Sequence, residues 1–86
     1  MSGIDDVRAT LAGIAESNDQ QAVQLRQVAL SYHLAAAHIE GAAAGSSAAA
    51  VSEAIAGYRA LSEQLHELVA RSEAIAGALA DYANTL

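Results

Sequence analysis

The sequence predicts an all-α fold, an antiparallel two-helix hairpin that dimerises into a four-helix bundle. Three observations lead to this prediction. Apolar residues recur at alternating spacings of three and four through both halves of the chain, which is the heptad pattern of long packed helices. Proline is absent and alanine supplies half of the apolar residues, and both features favour helix. No stretch alternates β-branched and aromatic residues in the manner of a strand.

The 86 residues are expected to form a single helical-hairpin domain, 1–86. The first helix is predicted over about 4–40, with Ser2 as its N-cap and Asp5 in the capping-box position. Its apolar pattern is Ile4, Val7, Leu11, Ile14, Asn18, Gln21, Leu25, Val28, Tyr32, Ala35 and Ile39.

A short break separates the two helical patterns. The turn is predicted over 41–47, because this stretch is rich in Gly and Ser. Gly41 or Gly45 can take the left-handed conformation that ends a helix, and Ser46 or Ser47 can cap the next one. The second helix is predicted over about 48–84, with the pattern Val51, Ala54, Tyr58, Leu61, Leu65, Leu68, Ser72, Ile75, Leu79, Tyr82 and Leu86.

Three polar residues, Asn18, Gln21 and Ser72, interrupt the apolar pattern and are predicted to form a polar core layer. With a turn centred between Ser46 and Ser47, Gln21 faces Ser72. Amide side chains in a coiled-coil core fix the register and the oligomeric state while lowering stability. A hydrated seam, a hinge or a ligand pocket is the alternative interpretation of this layer.

The apolar pattern is wider than two positions in seven, which predicts a partner. Rows of mostly small residues, including Ile55 and Val69, extend the apolar face, and a second stripe lies on the far side of the first helix. An apolar surface of this extent is unusual on a small monomer. We expect a homodimer, or a heterodimer with a similar hairpin. The predicted interface residues are Val23, Leu30, Leu34, Ile55 and Val69.

Composition argues against several classes of function. The net charge of −6 and the four dispersed arginines argue against binding to nucleic acid or to an anionic membrane. No apolar run is long enough to predict a membrane span. The start of the chain lacks the pattern of a cleaved signal peptide, which favours a cytoplasmic protein or one exported without such a peptide. Cysteine is absent, so no disulfide is possible.

Glu63 and His66 have the Glu-x-x-His spacing found in metal-binding bundles of the ferritin type. The heptad pattern places both on the outer surface, so we predict solvated side chains rather than ligands. A metal-binding ferritin-like bundle with a site at the interface between copies is the alternative. His33 and His38 do not share a helix face. We expect no enzyme activity, no cofactor and no metal.

In size, acidity, alanine content and its Gly-Ser turn between two equal helices, the chain resembles small actinobacterial proteins of the type VII (ESX) secretion Trp-Xaa-Gly class. The resemblance covers the whole chain. Where that class has Trp-Xaa-Gly, this chain has Gly45-Ser46-Ser47, and Ser62 stands where its export signal places an acid four residues after Tyr58. The resemblance implies a non-enzymatic protein-interaction hairpin associated with secretion. A cytoplasmic scaffold or adaptor is the other interpretation.

Overall fold

A computed structural model of the chain describes residues 3–86 and contains two helices, α1 (Gly3–Ala42) and α2 (Ala49–Thr85). The helices contact each other along a hairpin that measures 67 × 14 × 13 Å between Cα atoms. The prediction of an all-α hairpin is confirmed. The sequence placed the helices at about 4–40 and 48–84. Ser2, the expected N-cap of α1, lies outside the described residues.

Gly45 reverses the chain between the two helices. Its φ is 84°, the one positive φ among residues 3–86. The Ala43 amide donates to the Ile39 carbonyl at 2.9 Å, and the Ser46 amide donates to the Ala43 carbonyl at 2.9 Å. The left-handed residue is therefore Gly45, whereas Gly41 continues α1. An L side chain at this φ would be strained, so glycine is required here.

The residue that precedes α2 is Ala48, with φ −64° and ψ 130° and no side-chain cap. The Ser46 hydroxyl oxygen accepts a hydrogen bond from the Ala48 amide at 3.3 Å. The N-cap position is thus Ala48 rather than Ser46 or Ser47, because the turn continues to residue 48 before the helix begins. Ser46 satisfies a backbone donor just ahead of the helix instead.

Small side chains form the centre of the contact between the helices. The residues buried among 3–86 recur every seven positions: Ala22, Ala29 and Ala36 on α1, and Ser62, Val69 and Ala76 on α2. Beside them runs a row of half-buried and mostly larger residues: Leu11, Asn18, Leu25, Tyr32 and Ile39 on α1, and Val51, Tyr58, Leu65, Ser72 and Leu79 on α2. Small buried residues let the two backbones approach closely, and the larger ones pack beside them.

The other half of the expected seam lies outside the contact. The residues Val7, Ile14, Gln21, Val28, Leu61, Leu68, Ile75 and Tyr82 are all exposed. The helices are rotated so that the small-residue rows take their place between the helices. The expectation that these residues pack inside the hairpin is therefore wrong, because alanine rows permit a closer helix approach than larger side chains would.

Tyr32 and Tyr58 fix the register of the hairpin. Their rings stack with centroids 5.7 Å apart and an interplanar angle of 22°. Two heptads further from the turn on each helix lie Asn18 and Ser72, which are both half-buried and reach the same level. The sequence had placed Gln21 opposite Ser72. Gln21 is instead exposed, because its row has rotated out of the seam.

Candidate interaction surface

One side of the hairpin presents large apolar side chains that the hairpin itself does not cover. We define the apolar face as two heptad rows, one from each helix: Val7, Ile14, Gln21, Val28 and Ala35 of α1, and Ala54, Leu61, Leu68, Ile75 and Tyr82 of α2. The large apolar members are between 41% and 55% exposed. Single exposed apolar residues are common on proteins, but a strip of them along two helices is unusual on a small monomer.

Helix geometry places both rows on the same side. Each row lies about 80° around its helix from the centre of the seam, given 3.6 residues per turn. Two antiparallel helices with equivalent seams are related by a two-fold axis normal to the hairpin plane. Such an axis keeps corresponding rows of α1 and α2 on one side of the plane. The rows that flank the seam on the other side should then also meet each other.

Ion pairs across the seam occupy that other side. Arg26 of α1 pairs with Glu73 of α2, and Glu40 of α1 pairs with Arg59 of α2. Each of these side chains is about half exposed to solvent, so each pair contributes little, about 0.2–1 kcal/mol. We define the ion-pair face as the rows that carry them: Asp19, Arg26, His33, Glu40, Arg59, His66 and Glu73. The hairpin thus has one apolar and one charged side.

The acidic residues avoid the apolar face altogether. The chain has ten acids, and none lies in the two apolar rows or in the rows next to them. Those neighbouring rows carry small and polar residues: Thr10, Ser17, Gln24, Ser31 and His38 on α1, and Gly57, Gln64, Arg71 and Ala78 on α2. Arg71 is the single formal charge among these positions. A chain of net charge −6 therefore presents one side that is nearly neutral.

The interface residues predicted from the sequence fall in two different places. Val23, Leu30 and Leu34 are exposed on the outer side of α1 and form a separate outer stripe. A shallow groove lined by Gln27, Leu30, Ser31, Leu34, Ala35 and His38 runs along it. Ile55 is half-buried and Val69 is only 4% exposed, because both pack against α1 within the hairpin. Val69 thus has little surface left for another chain.

The larger surface, the apolar face, was missed by sequence reasoning. Its rows were assigned to the contact within the hairpin, where large apolar residues at heptad spacing usually belong. One signal could have separated the two possibilities. The rows that lie in the observed seam have Arg8 and charged neighbours at the open end of the hairpin, whereas the apolar rows have no acid beside them. The edges of a seam between two helices stay in solvent and tolerate charge, whereas a row with no acid on either side is suited to being covered by another chain.

The three residues of the predicted polar layer are not brought together. Asn18 and Ser72 lie half-buried at one level of the seam, where both the amide and the hydroxyl can reach solvent. Gln21 is exposed and is the one amide in the apolar face. A polar residue in the middle of an apolar row becomes a problem for stability when another chain covers it, unless it finds a hydrogen-bonding partner.

Glu63 and His66 are both exposed on α2. The Nδ1 atom of His66 lies 2.9 Å from the Ser62 carbonyl oxygen. Because a carbonyl oxygen can only accept, Nδ1 carries the hydrogen and donates, which leaves the lone pair of the neutral ring on Nε2. Among residues 3–86, no three side chains of His, Asp or Glu come together in an arrangement that could hold a metal ion.

Within the described part of the chain, neither helix contains an apolar segment of the length and hydropathy that crossing a bilayer requires. Searches with this sequence and structure against protein-family models, curated proteins and solved structures find no match. The apolar face is therefore interpreted from its own geometry and chemistry.

Proposed function

We propose that this chain is a non-enzymatic protein-interaction module whose apolar face packs on a second helical hairpin to form a four-helix bundle. One observation carries the proposal: seven large apolar side chains line a single side of the hairpin, each at least 41% exposed. Covering the exposed half of such a side chain stabilises a complex by about 1 kcal/mol, given about 25 cal/mol per Å² of apolar area.

The dimensions of the hairpin fit a stable interface. Its length is 67 Å and its width 14 Å between Cα atoms. A face of that size can bury on the order of 800 Å² on each partner, which is the usual extent of a specific protein–protein contact. Interfaces between helix pairs of this shape form four-helix bundles, because two apolar strips on each hairpin close into one core.

The core of the hairpin also supports a partner. The buried residues among 3–86 are four alanines, one valine and one serine. No side chain in this part of the chain is both large and fully buried. A small domain with so little buried apolar area gains only a small surplus of free energy over the entropy of ordering the chain. A second hairpin on the apolar face would supply the missing core.

Light scattering after size exclusion, at micromolar concentration, tests the proposal. We expect twice the chain mass of 8.7 kDa for the wild type. Leu68→Glu places a carboxylate at the middle of the apolar face and should give a monomer, because an unpaired charge is not tolerated in a packed interface. Leu30→Glu makes the same change on the outer stripe and should leave the dimer intact.

The outcomes are distinguishable. A folded wild-type monomer at these concentrations would refute the proposal. Dissociation by Leu30→Glu together with an unchanged Leu68→Glu dimer would move the interface to the outer stripe, as the sequence had suggested. Helical content measured by circular dichroism shows whether either variant unfolds instead of dissociating, and Leu68→Ala then serves as the milder test of the same contact.

The same proposal includes an association with type VII secretion, supported by the size and the hairpin architecture that the resemblance is based on. Its test is independent of the interface. A tagged copy expressed in an actinobacterial host should reach the culture filtrate only when the secretion ATPase is intact. Retention in the cells of both strains would reject the secretion part and leave a cytoplasmic interaction module.

A further inference from the structure

We propose that the second hairpin is another copy of this chain, packed with its turn at the opposite end, so that Gln21 of one copy meets Gln21 of the other. This inference rests on the proposed function, because it requires the apolar face to be the contact surface. It adds the identity of the partner, the direction in which it lies and the residue that sets this direction.

A second copy suits the apolar face because that face is nearly free of charge. Two chains of net charge −6 repel each other, and acids occupy the other sides of the hairpin. Contact through the apolar face keeps these acids apart, since Arg71 is the one formally charged residue in its rows and the rows beside them. A strongly basic partner would instead be expected to bind the acid-bearing sides.

Two symmetric arrangements of two hairpins are possible face to face. With the two-fold axis along the helices, both turns lie at the same end, and α1 of one copy packs on α2 of the other. With the axis across the helices, the turns lie at opposite ends, and each helix packs on its own equivalent. Both arrangements bury the same face, so side-chain matching must decide between them.

Gln21 favours opposite ends. The stacked pair Tyr32 and Tyr58 sets the levels of the two helices. Gln21 precedes Tyr32 by as many residues as Val69 follows Tyr58, so Gln21 and Val69 lie at the same level of the hairpin. Leu68, next to Val69, belongs to the apolar face. With both turns at the same end, the Gln21 amide would therefore be buried against Leu68 with no hydrogen-bonding partner, which is unfavourable.

With the turns at opposite ends, Gln21 meets its own copy. The helix α1 spans Gly3–Ala42, so Gln21 lies close to the midpoint through which the axis passes. Each amide has a donor group and an acceptor oxygen, so two of them can form a reciprocal pair of hydrogen bonds. A buried amide pair of this kind selects one orientation of helices over another.

Side-chain sizes lead to the same arrangement. One heptad on either side of Gln21, Ile14 of one copy meets Val28 of the other. Two heptads away, Val7 of one copy meets Ala35 of the other. On α2 the matching steps are Leu68 with itself, Leu61 with Ile75, and Ala54 with Tyr82. Each alanine then faces a larger residue. The same-end arrangement would instead place Ala35 against Ala54, leaving a void, and Val7 against Tyr82, crowding the other end.

A groove on the apolar face fits the pairing of Ala54 with Tyr82. Ala54, Gly57, Tyr58 and Leu61 line a shallow depression near the turn. A methyl group built on Gly57 would meet no atom within 4 Å in a single hairpin, so the space is open. Tyr82, itself 55% exposed, is the largest residue of the apolar face, and its ring fills such a depression while its hydroxyl stays at the edge.

Resonance energy transfer between single-cysteine variants tests the arrangement, because the natural chain has no cysteine to interfere. Ser46→Cys labels the turn, and Gln20→Cys labels the outer surface near the middle of α1. Mixing donor-labelled and acceptor-labelled copies should give strong transfer for Gln20→Cys. Transfer for Ser46→Cys should be several-fold weaker, because turns at opposite ends are separated by about the hairpin length of 67 Å.

Strong transfer at both positions would overturn the arrangement while leaving the proposed function in place. Weak transfer at both, with a monomer mass in light scattering, would overturn both. Weak transfer at both with a dimer mass would overturn contact through the apolar face. Gln21→Leu, read out with the Ser46→Cys labels, should raise transfer by admitting the same-end arrangement, whereas the outer-surface control Gln27→Leu should not. An unchanged signal in Gln21→Leu would reject Gln21 as the determinant of direction.

Discussion

Tyr32 of α1 stacks on Tyr58 of α2 across the seam, with ring centroids 5.7 Å apart, and this contact links the two helices near the turn. Both rings are half-buried. The pair sits beside the buried rows of small residues, which include Ala29, Ala36 and Ser62. It therefore adds a directional contact to a seam that otherwise consists largely of small residues.

A double-mutant cycle should detect this contact. Tyr32→Leu and Tyr58→Leu are each expected to lower the free energy of unfolding, and their coupling energy should be about 1 kcal/mol, the range for stacked aromatic pairs. Urea unfolding at one fixed protein concentration measures it. Leu79→Ala, at a half-buried seam residue near the open end of the hairpin, is the control partner for Tyr32→Leu. A coupling of similar size there would show that the effect is not specific to stacking.

Enlarging a residue of the alanine seam should force the helices apart. Ala29 is fully buried between α1 and α2. We expect Ala29→Leu to lower the free energy of unfolding by about 1–3 kcal/mol, as is usual for overpacked cores. Ala37→Leu adds the same atoms at an exposed site and should have little effect. Equal results for the two variants would mean that the seam tolerates a wider helix separation.

Two glycine-to-alanine variants compare an exposed site, Gly13, with the proposed groove at Gly57. Gly13 is exposed on the outer side of α1, so Gly13→Ala should raise the free energy of unfolding by about 1 kcal/mol through helix propensity. Gly57→Ala brings the same gain within α2 but adds a methyl group to the groove on the apolar face. Sedimentation equilibrium should then show a higher dimer dissociation constant for Gly57→Ala alone. Unchanged dimer affinity in both variants would exclude packing on this groove.

Removing one ion pair should affect the hairpin but not its association. Glu73→Gln leaves Arg26 without its partner and should lower the free energy of unfolding by about 0.2–1 kcal/mol, an effect that fades as salt rises. Denaturation at low and high ionic strength measures this difference. The dimer dissociation constant should not change, because the ion-pair face lies opposite the apolar face. A clear change in it would show that the charged side takes part in assembly.

The two helices and the turn could be predicted from the sequence, because heptad spacing, abundant alanine and a single Gly-Ser break all favour the same architecture. Which rows form the seam could not. On the surface of α1, the row of Leu25 lies between the row of Val28 and the row of Ala29. A seam can therefore combine the Leu25 row with either neighbour, and Val28 and Ala29 are consecutive residues. Either choice buries apolar surface, and the outcome depends on how closely the backbones approach.

The candidate surface follows from that choice of row. Once Ala29 lies in the seam, Val28 must lie beside it, and Leu68 on α2 is turned outward in the same way. The heptad pattern of the sequence predicts these residues inside the hairpin instead. The outer stripe at Leu30 was identified because no pairing within a hairpin could use it.

The alanine seam has a consequence for the order of events in folding. Residues such as Ala22 and Ala36 remove little apolar surface from water when the helices meet. A chain built in this way gains a further share of its folding free energy when another chain covers the apolar face, so its stability depends on its concentration. The melting temperature would then rise with the amount of chain present and fall on dilution.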